Sequence, residues 1–177
     1  MPRRCRFSRA FTLIELCVVV AILAVAAAVA LPALGNILAQ AQLRDAAETL
    51  ADDLATARRA AIARGGHVAA CPSRDGRRCT PGGRWHQGWI IVDGSIVVSA
   101  HDALPGRLAT RSSQARPHIT FDEAGRAPGG NDTVTLCVRH RPATAVSVVI
   151  SSAGRIHAEP PDRPSAAACA SSREDHR

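Results

Sequence analysis

The chain has 177 residues, 46% of them apolar and only 3% aromatic, with a formal net charge of +7. That length suits one ordinary domain with an appendage and excludes a multidomain enzyme, and the apolar content excludes a disordered chain. All 22 basic residues are Arg, so there is neither a Schiff-base lysine nor a phosphate-loop lysine.

The charge is unevenly placed. Arg3, Arg4, Arg6 and Arg9 precede residue 10, and without them 18 basic residues face 15 acidic ones. Basicity is therefore partly a property of the N-terminal segment and argues only weakly for nucleic acid as a partner. From Phe11 to Leu34 the only charge is Glu15, and Leu16–Leu34 is an uncharged run of 19 residues. As a helix that run spans roughly 28 Å, about one hydrocarbon core. The arginines before it place the N-terminus in the cytoplasm and everything after Leu34 outside the inner membrane. An ordinary signal peptide is an alternative, with Ala28 and Ala30 offering an A-x-A cut that would release a soluble secreted domain. A plain anchor is another. Glu15 suits neither, because a carboxylate at the centre of a span costs about 2.5–3.5 kcal/mol on insertion scales.

Beyond Leu34 the pattern becomes amphipathic. Leu43, Ala47, Leu50, Leu54, Ala57 and Ala61 form one apolar stripe among Arg44, Asp45, Glu48, Asp52, Asp53, Arg58 and Arg59, the spacing of a helix packed on one face. Gly65-Gly66 is a stop signal. Residues 11–63 are thus predicted to form one helix of about 80 Å, apolar all round over 11–34 and one-sided over 35–66.

From His67 the period shifts toward two. Strands are predicted at Val68–Ala70, Trp89–Val92 and Ile96–Val98, the last two joined by a type I′ turn at Asp93-Gly94. Ile119–Phe121, Thr133–Val138 and Ala145–Ile150 supply three more, with turns at residues 122–125 and Ala153-Gly154-Arg155. Residues 67–159 are therefore β-rich, and 160–177, rich in Pro, Ser and Ala, are predicted to be an irregular tail. Short strands behind one long helix give an α+β fold with an antiparallel sheet.

The string Ser8-Arg9-Ala10-Phe11-Thr12-Leu13-Ile14-Glu15-Leu16 closely resembles the class III leader junction of type IV pilins and pseudopilins. The resemblance implies a pilin-like fold and a leader over residues 1–10. It implies cleavage by a prepilin peptidase between Ala10, which stands where the family has Gly, and Phe11, whose new amine is then methylated. It also implies that Glu15 pairs with the terminal amine of a neighbouring subunit, and a buried carboxylate does need a compensating cation. Cys71-Pro72-Ser73-Arg74-Asp75-Gly76-x-x-Cys79, Trp85-x-x-Gly88-Trp89-Ile90, Arg58-x-x-Ala61 and the late Ser-x-x-Gly-Arg turn resemble the GspH/FimT branch of minor pseudopilins.

By that resemblance the chain is a single-pass inner-membrane protein with a periplasmic domain. Its partners are other pilins or pseudopilins in a type II secretion pseudopilus or type IV pilus. FimT-like members that capture DNA carry a Gly-Arg-x-Arg string. Here it reads Gly154-Arg155-Ile156-His157, which makes Arg155 and His157, with Arg139 and Arg141, the candidate phosphate contacts.

Of the six cysteines, Cys5 lies in the leader and Cys17 serves as a small apolar residue. Cys71, Cys79, Cys137 and Cys169 lie in the exported part, where disulfides form, and four cysteines allow three pairings. The separation around Asp75-Gly76 suits a local Cys71–Cys79 loop, leaving Cys137–Cys169 to fasten the tail. A zinc site from His67, Cys71, Cys79 and His86 lacks the usual ligand spacing. There is no G-x-S-x-G elbow and no carboxylate pattern with ligand spacing. No catalytic residue, metal or cofactor is predicted, and the chain is not read as an enzyme.

Overall fold

The computed structural model describes residues 12–82, 84–112 and 118–172. Helix α1 runs over Leu13–Arg64. It closes with a Schellman pattern, in which Gly66 N–H donates to Ala61 O and Gly65 N–H to Ile62 O. The chain divides into two compact units after Leu38.

In the first unit every described side chain of the helix is exposed. Leu13 is 82% exposed and Leu34 64%, and an 18-residue window has a mean hydropathy of 2.8. The segment is long and apolar enough to cross a membrane.

The second unit has its own core. Leu43, Ala47, Leu50, Leu54, Ala57 and Ala61, the stripe read from the sequence, are all buried. Two four-stranded antiparallel sheets complete the unit. The first has the order β3-β2-β1-β5 and the second β4-β6-β7-β8. The strands are β1 Val68–Pro72, β2 Trp89–Asp93, β3 Ile96–His101, β4 Leu108–Ser112, β5 Ile119–Phe121, β6 Asp132–Val138, β7 Arg141–Ile150 and β8 Ile156–Glu159. The helix stripe packs with Val68, Ala70, Ile91 and Phe121 of the first sheet and with Leu108, Val134, Leu136, Val148 and Ile150 of the second.

Three expectations need correction. The domain contains two sheets, not one, because the chain leaves the first sheet for β4, returns to pair β5 with β1, and then leaves again for β6, which pairs with β4. The β2–β3 turn is shifted by one residue: Asp93 pairs with Ile96, so the loop is Gly94-Ser95. Gly94 has φ +59° while Ser95 does not enter the left-handed region, the pattern of a type II′ turn rather than type I′.

The third correction concerns the stretch after Pro160, which is not irregular. It forms helix α2, Arg163–Ala170, capped by Asp162, whose carboxylate accepts the Ser165 N–H. That cap, followed by Pro164 and an Ala-rich run, supplies the start signal and propensity a short helix needs. Helix α2 lies on β6 and β7, and Cys169 packs with Ala109, Cys137 and Ala145. The far face of the second sheet is thereby covered.

Candidate assembly and binding sites

Ala10 and Phe11, the proposed cleavage and methylation positions, lie outside the described residues. Glu15 sits in the first turn of α1, exposed. Its N–H donates to Thr12 Oγ1 at 3.3 Å, and Thr12-x-x-Glu15 has the spacing of a capping box. The Thr12 hydroxyl thus caps the start of the helix, a local role that the spacing alone would have signalled. The carboxylate has no partner among the described residues, and an acid in the first turn is favoured by the helix dipole.

The structure joins Cys71 to Cys79 and Cys137 to Cys169. The first bond removes both thiolates from the weighed zinc set. It also staples a loop organised by Asp75, whose Oδ1 accepts the backbone N–H groups of Arg77 and Arg78, each at 2.9 Å. Those bonds, with a further one from Ser73 Oγ, hold the Asp75 carboxyl below the usual carboxylate range against the opposing effect of desolvation. The second bond ties α2 to β6, so Arg163–Ala170 is part of the domain.

The Trp and Arg motifs position elements around the core. Trp89 Nε1 donates to Asp53 Oδ2 at 2.8 Å, fastening β2 to α1, and its ring stacks on His101 with centroids 4.0 Å apart. Arg58 Nε donates to Gly125 O at 2.8 Å. Gly154 packs against the same carbonyl so closely that a Cβ there would overlap the oxygen, and its φ of +77° disfavours any side chain as well. Arg58 therefore meets two turns, the first between β5 and β6 and the second between β7 and β8. In the first, Asp122 accepts from the Arg126 N–H at 2.8 Å and from its Nε at 2.9 Å. The Arg126 backbone bond, then its side chain, hold the Asp122 carboxyl low despite its burial.

The four candidate phosphate contacts do not form one cluster. Arg155 lies at the β7–β8 turn, exposed, with His157 on β8 facing Glu159 at 3.4 Å. Arg139 and Arg141 lie at the β6–β7 turn. Strand β7 separates the two turns by its full length, about 30 Å for a strand of that size. Arg139 is also engaged: Nε donates to Gly106 O at 2.9 Å and Nη1 to Ser172 O at 3.1 Å. A hairpin's adjacent turns point to opposite ends of the sheet, and proximity in sequence conceals this.

The described arrangement can be compared with known proteins. The family described as type II transport protein GspH matches residues 46–154, and the prokaryotic N-terminal methylation motif matches residues 5–31. Among curated proteins, none matches the chain. The fold is similar to the type IV minor pilin FimU of Pseudomonas aeruginosa PAO1, at 26% identity and a TM-score of 0.57, covering 67% of this chain and 88% of that one. A second crystal form of FimU gives a TM-score of 0.56 at the same identity, covering 67% and 93%. The minor pseudopilin EpsH of the Vibrio cholerae Type 2 Secretion System shares the fold at 12% identity and a TM-score of 0.50, covering 68% and 98%. The family match spans most of the second half of α1, strands β1 to β7 and the Arg58–Gly125–Gly154 contact, more than half of the sequence, and the chain belongs to the GspH family.

Proposed function

We propose that the chain is a minor subunit of a pilin-type filament, a type II secretion pseudopilus or a type IV pilus, with a structural rather than catalytic role. One observation carries the reading: a single helix is exposed at every described side chain of its first half, which is apolar apart from Glu15 and Asn36, and buried along one stripe of a GspH-type domain in its second. An exposed apolar helix requires a cover, which the membrane supplies before assembly and neighbouring helices supply after it. In this reading prepilin peptidase cuts between Ala10 and Phe11, Phe11 is methylated, the domain is periplasmic, and Glu15 neutralises the amine of an adjacent subunit. The match to the methylation motif supports this over release by signal peptidase. Nothing in the geometry favours DNA capture, because Arg155 and His157 stand apart from Arg139 and Arg141.

Glu15→Ala tests the reading. The variant should insert and be processed, since removing the charge lowers the cost of the apolar segment, yet should be missing from filaments. Glu15→Gln separates pairing from helix capping, because an amide retains capping but not charge. Normal incorporation of Glu15→Ala would refute the role. Incorporation of Glu15→Gln alone would reassign Glu15 to capping.

A further inference from the structure

Strand β7 outruns the strand beside it. It covers Arg141–Ile150, but β8 pairs only with Ser147–Ile150. The ladder to β6 also lapses: Val138 pairs with Arg141 and Cys137 with Ala145, so residues 142–144 have no partner on that side either. The sequence explains where β8 stops. Continuing its register past Glu159 would set Pro160 opposite Val146 and Pro161 opposite Ala145. Proline has no N–H to give a ladder, and the chain turns instead into α2. Residues 143–146 are thus an open sheet edge about 13 Å long, with alternate N–H and C=O groups turned outward. Pro142 blunts only its start, and the edge itself carries no charge.

A groove opens on each side of this edge. On the α2 side it has a volume of about 510 Å³ and is walled by Ala143, Ala145, Pro161, Ala166 and Ala167, with the exposed Arg163 beside them. On the α1 side a smaller groove of about 180 Å³ lies between Thr144 and Val146 and the helix residues Leu43 and Arg44. Among the described residues no acid lines either groove, and the guanidinium groups of Arg44 and Arg163 make no hydrogen bond or ion pair. Of the acids adjacent in sequence, Asp45 lies outside both grooves, Asp162 caps α2 and Glu159 faces His157.

We propose that the open edge of β7 takes an extended acidic segment of a partner protein, which pairs with residues 143–146 where β8 stops. Successive side chains of an added strand point to opposite faces of the sheet. The guest residue opposite Ala145 therefore faces α2, and an apolar side chain there fills the larger groove. The guest residues opposite Thr144 and Val146 face α1, where acids meet Arg44, and an acid at the end of the segment meets Arg163. A helix does not fit, because its backbone groups are already paired and offer the edge nothing. A basic strand meets like charge on both sides. The contact is separate from the apolar half of α1 and goes beyond a place in a filament.

The probe is an alternating valine–glutamate hexapeptide with blocked ends, added to the full chain in a nonionic detergent. Amide exchange followed by NMR should slow about tenfold at one or more of Thr144, Ala145 and Val146, with Leu50 unchanged. Arg44→Glu and Arg163→Glu should each weaken binding about tenfold. Ala167→Trp, which fills the larger groove, should abolish the protection and leave the exchange of Leu50 as it was. A valine–arginine hexapeptide, or the valine–glutamate peptide methylated on its backbone nitrogens, should leave β7 unprotected. Equal binding of the two charge forms, protection by the methylated peptide, effects confined to other strands, or no protection at millimolar peptide overturns the proposal. Protection that rises with protein concentration alone assigns the edge to a second copy, and protection that rises with detergent assigns it to lipid; either result overturns it as well.

Discussion

The two halves of α1 have nearly the same backbone and opposite dependencies. In the half that ends at Leu38, apolar side chains point in every direction and none is buried within the protein. In the half from Ala39 to Arg64, one stripe is buried to within a few per cent by two sheets, and the remaining faces are charged. The same residue types, Ala, Leu and Val, therefore do different work. The second half stabilises a domain, and the first stabilises nothing until a membrane or a neighbour covers it. A helix alone does not specify which role it plays; the angular distribution of its apolar residues does.

That contrast is open to direct disruption. Leu50→Ala should lower the unfolding free energy of the domain by about 2–5 kcal/mol, the cost of a cavity at a fully buried leucine. Leu23→Ala should leave it unchanged. Chemical denaturation of the full chain in detergent measures both, and equal losses would erase the distinction between the halves. A comparable loss is expected for Cys137→Ser with Cys169→Ser, about 3–4 kcal/mol from the closed loop in the chain-entropy model. It should come with early exchange of amide hydrogens in α2. Protection of α2 unchanged by the double substitution would show that the helix docks without its staple.

The smallest effect concerns pH. Asp122 is held low by the Arg126 N–H and guanidinium in the folded state, while the unfolded carboxyl has its ordinary pKa of about 3.9. On acidification the unfolded chain binds the proton first, so this contribution is full above the unfolded value and is lost as pH falls through the folded one. Asp122→Asn should therefore destabilise the domain at neutral pH, and the gap to wild type should close in strong acid. A gap independent of pH would assign the effect to shape rather than charge.

Much of this contrast was readable in the residues. The stripe from Leu43 to Ala61 and the Gly65-Gly66 stop are local signals, and local physics decides them. The Cys71–Cys79 pairing followed from short separation, and Cys137–Cys169 then followed as the remaining pair. The partition of strands into two sheets was not readable, because it depends on β5 returning to β1 across more than forty residues. Strand β8 was missed because only Ile156 is part-buried and no alternation marks it. Helix α2 was hidden by a composition that also suits a loop, although Asp162 and Pro164 announced its start. The separation of Arg139 and Arg141 from Arg155 was a matter of hairpin direction, which charge and spacing do not encode.

In a filament subunit, the exposed half of α1 is retained as the N-terminal segment. The mass of the mature N-terminal peptide, from protein made in cells with an active prepilin peptidase, tests it most directly. The expected result is a chain that begins at Phe11 with a methylated amine. A chain that begins near Leu31, with the apolar segment removed, would contradict it.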